Sequence, residues 1–404
     1  MKLSVAHNFD PALVPHLAAI GKTYEVFGKL DRDIIGGGRS TYTLRHISKS
    51  RIALAVRQAH DHGITFNYLV NGASLNGQEQ TRSGQKRIRN LLDWVAACGV
   101  DAVTVASPFL AQIVTKMYPK LGIRASAFAM VDTPAKARQW EDLGANTLCV
   151  SAITCNRDFE RLRAIREAVS CELQLIVNSS CLSHCVWEPT HMQLLTQSSR
   201  KHDTSHGFCL DYCVLNCSHR RLKDPVNFVR SVWIRPEDLS FYEKLGIDCF
   251  KVLERSCPTD LLVKRVKAYR DQSFDGNLYE LVAPMASIRK ELGATFFSQA
   301  RMILSMLRPG EIKISSLLRI QDYMNEIIPH QFDRNEAPVY IDNMALDGFI
   351  QQLAQRRCTT EDCSHCGICE RFAAKAVHIK QDYRERVLHK AETLQGQTSD
   401  GSLW

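Results

Sequence analysis

Short runs of β-branched and aromatic residues alternate with amphipathic segments over most of the chain. This alternation is the pattern expected of repeated β/α units arranged around a parallel sheet. It predicts eight strands, at Leu3–Ala6, Tyr24–Phe27, Thr65–Val70, Ala102–Val105, Ile123–Phe128, Thr147–Val150, Leu173–Val177 and Cys249–Val252.

The segments between these strands carry apolar residues at three- and four-residue spacing, which is typical of amphipathic helices. The clearest of them are Ser48–His62, Gln85–Cys98, Pro134–Leu143 and Arg157–Val169. Gly99 and Gly144 follow two of these helices, where a left-handed residue commonly ends a helix. Eight such units predict an α/β fold, a TIM-like β/α barrel, with an open doubly wound sheet as the structural alternative.

The regular spacing stops between the seventh and eighth predicted strands. Residues 178–230 form a long excursion with five cysteines and five histidines, and long irregular segments in compact domains are usually functional. The expected order is a barrel domain at 1–276 with this cysteine-rich insertion, a helical linker at 277–345 and a C-terminal cysteine-cluster segment at 346–404. The linker includes a predicted helix at Thr295–Leu307, and the chain is predicted to end in a loose polar tail, Gly396–Trp404.

Composition narrows the class of protein. Hydrophobic residues make up 45% of the chain, and no apolar run approaches the ~20 residues that a membrane span needs. The N-terminus lacks the long apolar core and cleavage site of a secretory signal, so we expect a cytoplasmic protein without a membrane span. In that reducing compartment, 15 cysteines favour metal or cluster binding over disulfides. The net charge of +8 is modest and compatible with RNA or another anionic substrate.

Five cysteines of the insertion form the first candidate metal site. Cys181 and Cys185 directly follow the seventh predicted strand, at the face of the barrel where barrel enzymes do their chemistry. Cys209, Cys213 and Cys217 follow at four-residue spacing, so their sulfurs share one side of a helical turn or tight loop. Thiolates suit iron–sulfur clusters or zinc, and both sites commonly use four of them. The insertion therefore has five thiols for four ligand positions. The alternative to a metal site is that these cysteines are buried and structural.

A second cysteine group lies near the C-terminus. Its members are Cys358, Cys363, Cys366 and Cys369, and its C-x2-C-x2-C part matches part of the bacterial ferredoxin run. The group begins with a C-x4-C spacing and lacks the proline of the ferredoxin run. Zinc therefore remains an alternative to a second 4Fe-4S cluster. Neighbouring His365 is a candidate for replacing one cysteine or for a polar residue around the metal.

Charged residues near the expected barrel mouth are candidates for catalysis and substrate binding. Lys251 and Arg255 leave the last strand at the C-terminal face, where they are placed to clamp a carboxylate or phosphate. The alternative is an ion pair with Glu254 or Glu25 that fixes the barrel rim.

Four further residues complete the candidate site. Arg39 stands beside Gly36–Gly37–Gly38, where backbone amides can approach an anion, and a flexible loop is the alternative. His184 lies between two cysteine ligand candidates and is a candidate proton donor. His7, at the end of the first strand, faces the expected mouth, and Glu25 joins it and Arg39 as a predicted substrate-binding residue.

An extended stretch late in the barrel domain resembles a known family. It reads VRSVWIRPEDLSFYEKLGIDCFKVLERSCPTDLLVKRVKAYRD, with a G-[IV]-D-x-[FL]-K-[IVL]-x-x-R element at Gly246–Arg255 and a V-x-A-Y-R ending at Val266–Arg270. Upstream, the glycine-rich segment reads YEVFGKLDRDIIGGGRSTYTLR and the third strand reads FNYLVNG. Over residues 1–275 the chain resembles peptidase family U32, the collagenase-like peptidases.

The resemblance implies a redox function. The family includes oxygen-independent hydroxylases of ubiquinone biosynthesis and enzymes that hydroxylate bases in RNA, and these share a four-cysteine 4Fe-4S cluster. It implies such a cluster on Cys181, Cys185, Cys213 and Cys217, and leaves open whether Cys209 replaces one of the last two. It also implies prephenate as oxygen donor. An electron-transfer protein and a related partner subunit are further expected partners. The C-terminal cysteine group has no counterpart in these hydroxylases.

The leading hypothesis is an iron–sulfur-dependent, oxygen-independent hydroxylase of a small metabolite or an RNA base. Clusters held by thiolates support redox chemistry at a barrel mouth. The sequence contains no H-E-x-x-H or G-x-S-x-G motif, which disfavours the alternative of a collagenase-like peptidase. A third hypothesis is a cluster- or zinc-holding scaffold that works only with a partner chain.

Overall fold

Eight parallel strands form a closed barrel in the computed structural model of the protein. The structure describes residues 1–203, 207–283, 312–329, 332–356, 358 and 363–404. The strands are β1 (Lys2–Ala6), β2 (Thr23–Gly28), β3 (Thr65–Val70), β4 (Ala102–Val105), β5 (Gly122–Ala125), β6 (Thr147–Cys149), β7 (Glu172–Ile176) and β8 (Cys249–Val252). Each strand pairs in parallel with the next, and β8 pairs with β1 to close the ring. The prediction of a TIM-like barrel is confirmed, and the open-sheet alternative is wrong.

The strand bounds follow the sequence prediction closely. The prediction for β3, β4 and β8 coincides with the structure residue for residue. The largest difference is β5, which is predicted to run to Phe128 but ends at Ala125. Ser126 accepts a hydrogen bond from the Phe128 amide (3.1 Å) and begins a 3-10 turn, Ala127–Ala129, which ends the strand.

Helices alternate with the strands. They are α1 (Leu13–Ile20), α2 (Lys49–Asp61), α3 (Arg82–Ala97), α4 (Pro108–Met117), α5 (Pro134–Asp142), α6 (Ala152–Cys155), α7 (Phe159–Ala168), α8 (Glu188–Ser198), α9 (Ser218–Lys223), α10 (Val226–Val229), α11 (Leu239–Glu243) and α12 (Thr259–Asp271). Ser48, Thr81 and Thr133 cap α2, α3 and α5 by accepting hydrogen bonds from backbone amides. Gly99 and Gly144 have φ of 78° and 93° and end α3 and α5 as predicted.

The two faces of the barrel wall pack into separate apolar cores. Val5 and Val26 belong to the large core that the helices share. Ala6, Phe27 and Leu69 form a small separate layer. Because successive side chains alternate across a strand, closing the sheet puts one set inside the barrel and the other outside. A barrel filled in this way leaves its C-terminal mouth as the place for a site.

The predicted cysteine-rich insertion leaves the barrel between β7 and β8. It contains α8, a π-helical turn at Cys213–Cys217, α9 and α10. The insertion packs on the segment after β2, where Gly37 donates its amide to Ser199 Oγ (2.8 Å). It ends where the Val232 amide donates to the Cys181 carbonyl (2.9 Å). π-Helical turns are rare and occur frequently at functional sites.

The C-terminal region combines helices with a two-stranded antiparallel sheet. Its elements are α13 (Leu278–Val282), α14 (Ile314–Ile327), β9 (Val339–Ile341), α15 (Phe349–Ala354), α16 (Cys363–Cys366), α17 (Ile368–Ala376), β10 (Val377–Ile379) and α18 (Gln381–Ser399). The predicted helix at Thr295–Leu307 lies outside the described residues. Within the described part, the region predicted as a helical linker also contributes the strand β9.

The predicted loose polar tail is wrong. Helix α18 continues to Ser399, and Leu403 is fully buried. The ring centroid of Trp404 lies 5.8 Å from that of Phe208 in an edge-to-face contact. These two apolar side chains, together with a hydrogen bond from the Leu403 amide to the Gln397 carbonyl (2.9 Å), hold the end of the chain against the protein. None of the helices that the structure describes is both long and apolar enough to cross a membrane.

Candidate active site and metal centre

An arginine–glutamate pair spans the mouth of the barrel. Glu254 follows β8 with a positive φ of 104°, a strained conformation for a residue other than glycine. Arg39 donates to its two carboxylate oxygens through Nε (3.2 Å) and Nη2 (2.8 Å). Burial opposes ionisation of Glu254, but the charge and hydrogen bonds of Arg39 hold its pKa below the ordinary value. Arg39, predicted to bind substrate, thus has a protein carboxylate as its partner.

Two other cations at the mouth have no carboxylate partner among the described residues. Glu254 is bound by the arginine just described, and Glu25 is bound by Arg124 (3.2 Å). In the part of the chain that the structure describes, no ion pair holds Lys251 or Arg255. The alternative in which either residue fixes the rim by pairing with Glu254 or Glu25 is wrong, because other arginines occupy both carboxylates.

Both cations are buried at the barrel end. The Lys251 ammonium lies 4.2 Å from the centroid of the Phe27 ring, a cation–π contact inside the barrel end. Arg255 is 8% exposed, and burial together with neighbouring Arg39 lowers its pKa to about 10. Buried charges are normally paired. Both side chains are therefore suited to an anionic group of a substrate.

A buried lysine–aspartate pair lies beside Arg255. Lys29 Nζ is 2.9 Å from Asp33 Oδ2, and the two side chains are 1% and 3% exposed. Tyr68 donates its hydroxyl to Asp33 (3.2 Å). The small cavity next to this pair is lined by Asn8, Lys29, Asp31, Arg45 and Arg255. Its three cations outnumber its single carboxylate, which favours an anionic occupant.

The glycine-rich segment packs tightly against α8. Gly36 has a φ of 78°, and a Cβ there would lie 2.2 Å from the carbonyl oxygen of Thr196. The amide of Gly36 donates to Asp33 Oδ1 and that of Gly37 to Ser199 Oγ, both at 2.8 Å. Close packing therefore requires glycine here. These two amides have protein partners, so the prediction that they approach an anion is wrong for them.

His7 and Glu25 are enclosed in the barrel. His7 is 1% exposed, its Nδ1 accepts from the Phe9 amide (2.9 Å), and burial lowers its pKa to about 3. Its Nε2 has no hydrogen-bond partner among the described residues. Glu25 accepts from Ser4 (2.6 Å) and Asn67 (3.2 Å) in addition to its arginine. Glu25 is thus fully engaged inside the barrel, whereas His7 keeps one unused ring nitrogen.

Four cysteines of the insertion come together. A hydrogen bond between the thiols of Cys213 and Cys217, on the π-helical turn, raises the pKa of Cys213 and lowers that of Cys217 to about 6. Burial raises the pKa of Cys181 to about 11, and nearby Cys217 and Cys185 add to this shift. Cys217 also acts on Cys185. The fold therefore brings the four predicted ligands of the barrel site into one neighbourhood.

Cys209 occupies a different environment. Its buried thiol hydrogen-bonds with Ser40 and Ser198, and burial raises its pKa to about 12. No thiol is among the groups that act on it in the described part of the chain. The geometry favours Cys213 and Cys217 over Cys209 in the four-thiol group.

His191 and Asp211 belong to this site; His191 is one of the five insertion histidines that the sequence offers as a proton donor or ligand, whereas Asp211 was not predicted. His191 Nε2 lies 2.9 Å from Asp211 Oδ1, and with Cys213 they offer three ligand atoms within 4.8 Å of one another. Burial opposes protonation of His191, but its hydrogen bond to Asp211 raises its pKa. Asp211 also accepts a hydrogen bond from the Cys213 amide (2.8 Å). Its position two residues before Cys213 is the one feature of the sequence that could have pointed to it.

Arg39 connects the thiol group to the barrel mouth. Burial disfavours its charge, but Glu254 above all, and then Asp211 and Cys213, raise the pKa of Arg39 above its ordinary value. One guanidinium thus lies between the strained residue after β8 and the π-helical turn.

His184 does not join the mouth residues. Its exposed ring contacts Ser183 Oγ through Nδ1 (2.8 Å). Burial and the nearby charge of Arg161 on α7 lower its pKa. Its backbone is left-handed, with a φ of 51°, which turns the chain between Cys181 and Cys185. The structure thus gives His184 a role in the shape of the loop, and its predicted catalytic role gains no partner from the geometry.

The fold and this site can now be compared with known proteins. The model of Peptidase family U32 matches residues 33–290, which is more than half of the chain. The chain belongs to peptidase family U32. The matched region contains Arg39, Lys251, Arg255 and the five cysteines of the insertion. The predicted resemblance is therefore confirmed, and the chain is a member of an enzyme family.

Two relatives carry names from different reactions. An uncharacterized protease of Methanocaldococcus jannaschii is 26% identical over 348 residues, which cover 86% of this chain and 87% of that protein. The tRNA hydroxylation protein P of Escherichia coli is 24% identical over 186 residues, 45% of this chain and 38% of that protein. A solved structure, the U32 peptidase Mk0906, is 22% identical with a TM-score of 0.45, and the match covers 63% of this chain and 93% of that chain.

Proposed function

We propose that this chain is an iron–sulfur-dependent redox enzyme, an oxygen-independent hydroxylase of a small metabolite or an RNA base. The observation that carries the proposal is the group formed by Cys181, Cys185, Cys213 and Cys217 beside the barrel mouth. Four thiolates are the usual ligands of a 4Fe-4S cluster. The name of the Escherichia coli relative, a tRNA hydroxylation protein, agrees with this direction.

The donor set fits such a cluster. Each sulfur of a 4Fe-4S site binds a different iron, so the four thiols need to surround a cluster rather than meet at one ion. The positive charge of Arg221 acts on both Cys181 and Cys217 and favours their thiolate forms. Bound there, the cluster supplies one-electron redox chemistry.

The cationic mouth supplies the substrate side of the proposal. Lys251 and Arg255 bind the anionic groups of the oxygen donor, for which the family resemblance gives prephenate, a molecule with two carboxylates. Arg255 holds one carboxylate in bidentate fashion, while Lys251 provides a point charge at the barrel end. The unused Nε2 of His7 is a hydrogen-bond donor, because its Nδ1 accepts from a backbone amide. An RNA base is the alternative acceptor of the hydroxyl group.

Iron and sulfide analysis of anaerobically purified protein tests the proposal. We expect Cys181→Ser to lose about four irons per chain and the broad visible absorption of the cluster. Cys209→Ser is the matched control, because this thiol lies in the same insertion but outside the four-thiol group, and it should keep both. Iron content unchanged in Cys181→Ser, or zinc alone in the wild-type protein, contradicts the proposal.

The product of the reaction is identified by comparing the metabolites and RNA of a deletion strain with those of its parent. A deletion strain should lack one hydroxylated metabolite or one hydroxylated RNA base that the parent contains, and the wild-type gene should restore it. Restoration by Cys181→Ser contradicts a role of the barrel cluster in the reaction, whereas restoration by Cys209→Ser is expected. This experiment also separates the two classes of substrate.

A cysteine peptidase is a second candidate, favoured by the group of Cys213, His191 and Asp211. These are the residue types of cysteine hydrolases. However, the hydrogen bond to Cys217 raises the pKa of Cys213, which is the opposite of what a nucleophilic thiol needs. Digestion of gelatin by iron-free protein, abolished by both Cys213→Ser and His191→Ala, would establish the peptidase. If the iron-free protein does not digest gelatin, the peptidase is excluded and the hydroxylase proposal stands.

A further inference from the structure

Arg45 and Arg255 line the same small cavity at the edge of the barrel mouth, which we call the arginine cavity. Asn8, Lys29 and Asp31 also line it. Asn8 follows β1, Lys29 and Asp31 follow β2, and Arg255 follows β8. These three strands are neighbours in the ring, so their C-terminal ends meet at this point. The C-terminal ends of barrel strands are where ligands bind in this fold.

The loop after β1 and the loop after β8 hold each other in place. Asn8 Nδ2 donates to the Cys257 carbonyl and to Thr259 Oγ1, both at 3.0 Å. Asn8 Oδ1 accepts from the Asp10 amide (3.0 Å). These contacts fix the backbone that carries Arg255, which lowers the entropy lost when its side chain binds a ligand.

Asp31 holds the segment that carries Arg45. Asp31 Oδ1 accepts from the amide of Ile47 (2.8 Å), and the Asp31 carbonyl accepts from Thr41 Oγ1 (3.2 Å). His46 Nδ1 lies 3.3 Å from Asp31 Oδ1. Contacts on both sides of Arg45 thus fix its backbone. Among the described residues, no ion pair joins Asp31 to either arginine of the cavity.

The two arginines have unused hydrogen-bond donors. Arg255 is 8% exposed, and neither a hydrogen bond nor an ion pair links it to another described residue. Arg45 Nε is buried and likewise has no hydrogen-bond partner in the described part of the chain. A buried N–H group without an acceptor costs free energy, and an oxyanion between two guanidiniums supplies acceptors to both.

Lys29 is already occupied by protein groups. Its Nζ lies 2.9 Å from Asp33 Oδ2 and donates to the Gly36 carbonyl. In the described part of the cavity, the two guanidiniums are therefore the cations without an ion pair, and they face the single carboxylate of Asp31. The cavity keeps a net positive charge, which favours an anion.

We propose that Arg45 and Arg255 together bind one compact oxyanion, a carboxylate or phosphate group of a substrate, in the arginine cavity. The inference rests on the proposed function in one respect, the anion-binding role of Arg255. It adds Arg45 as a second binding residue on a different loop, and it gives the anion a defined place at the ends of β8, β1 and β2.

The oxyanion has two sources in the proposed reaction. One is a carboxylate of the oxygen donor, and the other is a phosphate of an RNA or of a phosphorylated metabolite. The planar fork of a guanidinium matches both groups, so the geometry of the two arginines serves either source. Prephenate and inorganic phosphate are therefore used as separate probes.

Calorimetry with the full-length, anaerobically purified protein tests the site. We expect at least one probe to bind, and Arg45→Gln to weaken its binding about tenfold, because a charge-assisted hydrogen bond is lost. Arg45→Lys keeps the charge but not the fork and should recover part of the affinity. Arg89→Gln is the matched control, since this partly buried arginine donates to Gln85 (2.9 Å) on α3, away from the cavity, and it should bind like the wild type.

A double variant tests whether the two arginines hold the same anion. Residues that contact one group are coupled, so the loss of affinity in Arg45→Gln with Arg255→Gln should be smaller than the product of the two single losses. A loss equal to that product overturns a shared anion. Binding of neither probe to the wild type, or unchanged affinity in Arg45→Gln, overturns the site.

The outcomes separate this inference from the proposed function, because anion binding is measured without turnover. A wild-type protein that contains no iron but binds a probe through Arg45 overturns the hydroxylase and supports the site. A protein that contains the cluster and binds both probes equally well after Arg45→Gln overturns the site alone. Binding of prephenate but not phosphate assigns the cavity to the oxygen donor, and the reverse result assigns it to a phosphate-bearing substrate.

Discussion

Replacing Asp33 by asparagine tests whether its buried pair with Lys29 fixes the barrel mouth. Side-chain volume hardly changes, and the asparagine oxygen still accepts from the amides of Ile35 and Gly36. What is lost is a negative charge 2.9 Å from the Lys29 ammonium. The Tyr68 hydroxyl loses its carboxylate acceptor as well (3.2 Å), so a double variant that also removes the Lys29 charge is needed to separate the ion pair from this hydrogen bond.

The magnitude follows from burial. The two side chains are 1% and 3% exposed, so solvent hardly screens their charges. Removing one partner of a buried ion pair costs about 3–5 kcal/mol, because it leaves an uncompensated charge. Lys136 and Asp132 form a matched exposed pair at the same four-residue spacing, with a distance of 2.7 Å and exposures of 48% and 21%. Asp132→Asn should cost under about 1 kcal/mol.

The cost should also depend on pH in one direction. Burial lowers the pKa of Lys29 below its ordinary value of 10.5, and the charge of Asp33 opposes this shift. Without Asp33 the pKa falls further, so between the lowered value and 10.5 the folded variant binds fewer protons than the unfolded chain. Stability rises with pH wherever the unfolded state binds more protons. The penalty of Asp33→Asn is therefore largest at neutral pH and shrinks as the pH rises toward 10.5.

Urea unfolding, followed by both tryptophan fluorescence and circular dichroism, measures the free energy of unfolding at about pH 7 and about pH 9.5. The double variant Lys29→Met with Asp33→Asn removes both charges and should recover at least half of the lost stability. A cost under about 1 kcal/mol for Asp33→Asn at neutral pH, or a cost that grows with pH, refutes the reasoning.

Three further predictions concern the mouth, the glycine-rich segment and the C-terminus. Arg255→Gln should weaken binding of a dicarboxylate at least tenfold in calorimetry, because the buried guanidinium has no ion-pair partner among the described residues; an unchanged affinity contradicts this. Gly36→Ala should destabilise by about 1–3 kcal/mol more than Gly77→Ala, because both have positive φ but only Gly36 meets a neighbouring carbonyl; equal urea midpoints contradict this. Leu403→Ala should cost about 2–5 kcal/mol in the same assay and exposed Ser402→Ala almost nothing, since only Leu403 is buried.

The barrel was predictable because its signal is local. Each strand of this closed sheet is a short run of β-branched and aromatic residues, and each helix repeats its apolar positions within a few turns. The same reasoning failed at the C-terminus, where Leu403 and Trp404 are too few to form a pattern. Their burial depends on neighbours such as Phe208, which lie far away in the sequence.

The candidate site was predictable in its thiols but not in its charges. Cys213 and Cys217 are four residues apart, so one helical turn aligns them wherever the segment lies. Arg39 and Glu254 are 215 positions apart, and nothing in the sequence pairs them. The predicted alternative was an ion pair between Glu254 and Lys251 or Arg255, which are its neighbours in the chain. In the structure the Glu254 carboxylate pairs with Arg39, because the glycine-rich segment brings the Arg39 side chain across the mouth.

The sequence by itself determined the barrel, the family and the two sets of thiols, since these depend on periodicity and on short spacings. Only the tertiary structure decided that Cys209 lies apart from the other four cysteines of the insertion and that His191 and Asp211 lie beside Cys213. It also decided that no carboxylate of the described residues pairs with Lys251 or Arg255. These facts depend on which side chains meet when the ring of strands closes and the insertion packs against it. The strength of a charge pair depends on the distance between the two groups in the folded protein, and the order of residues in the sequence does not give that distance.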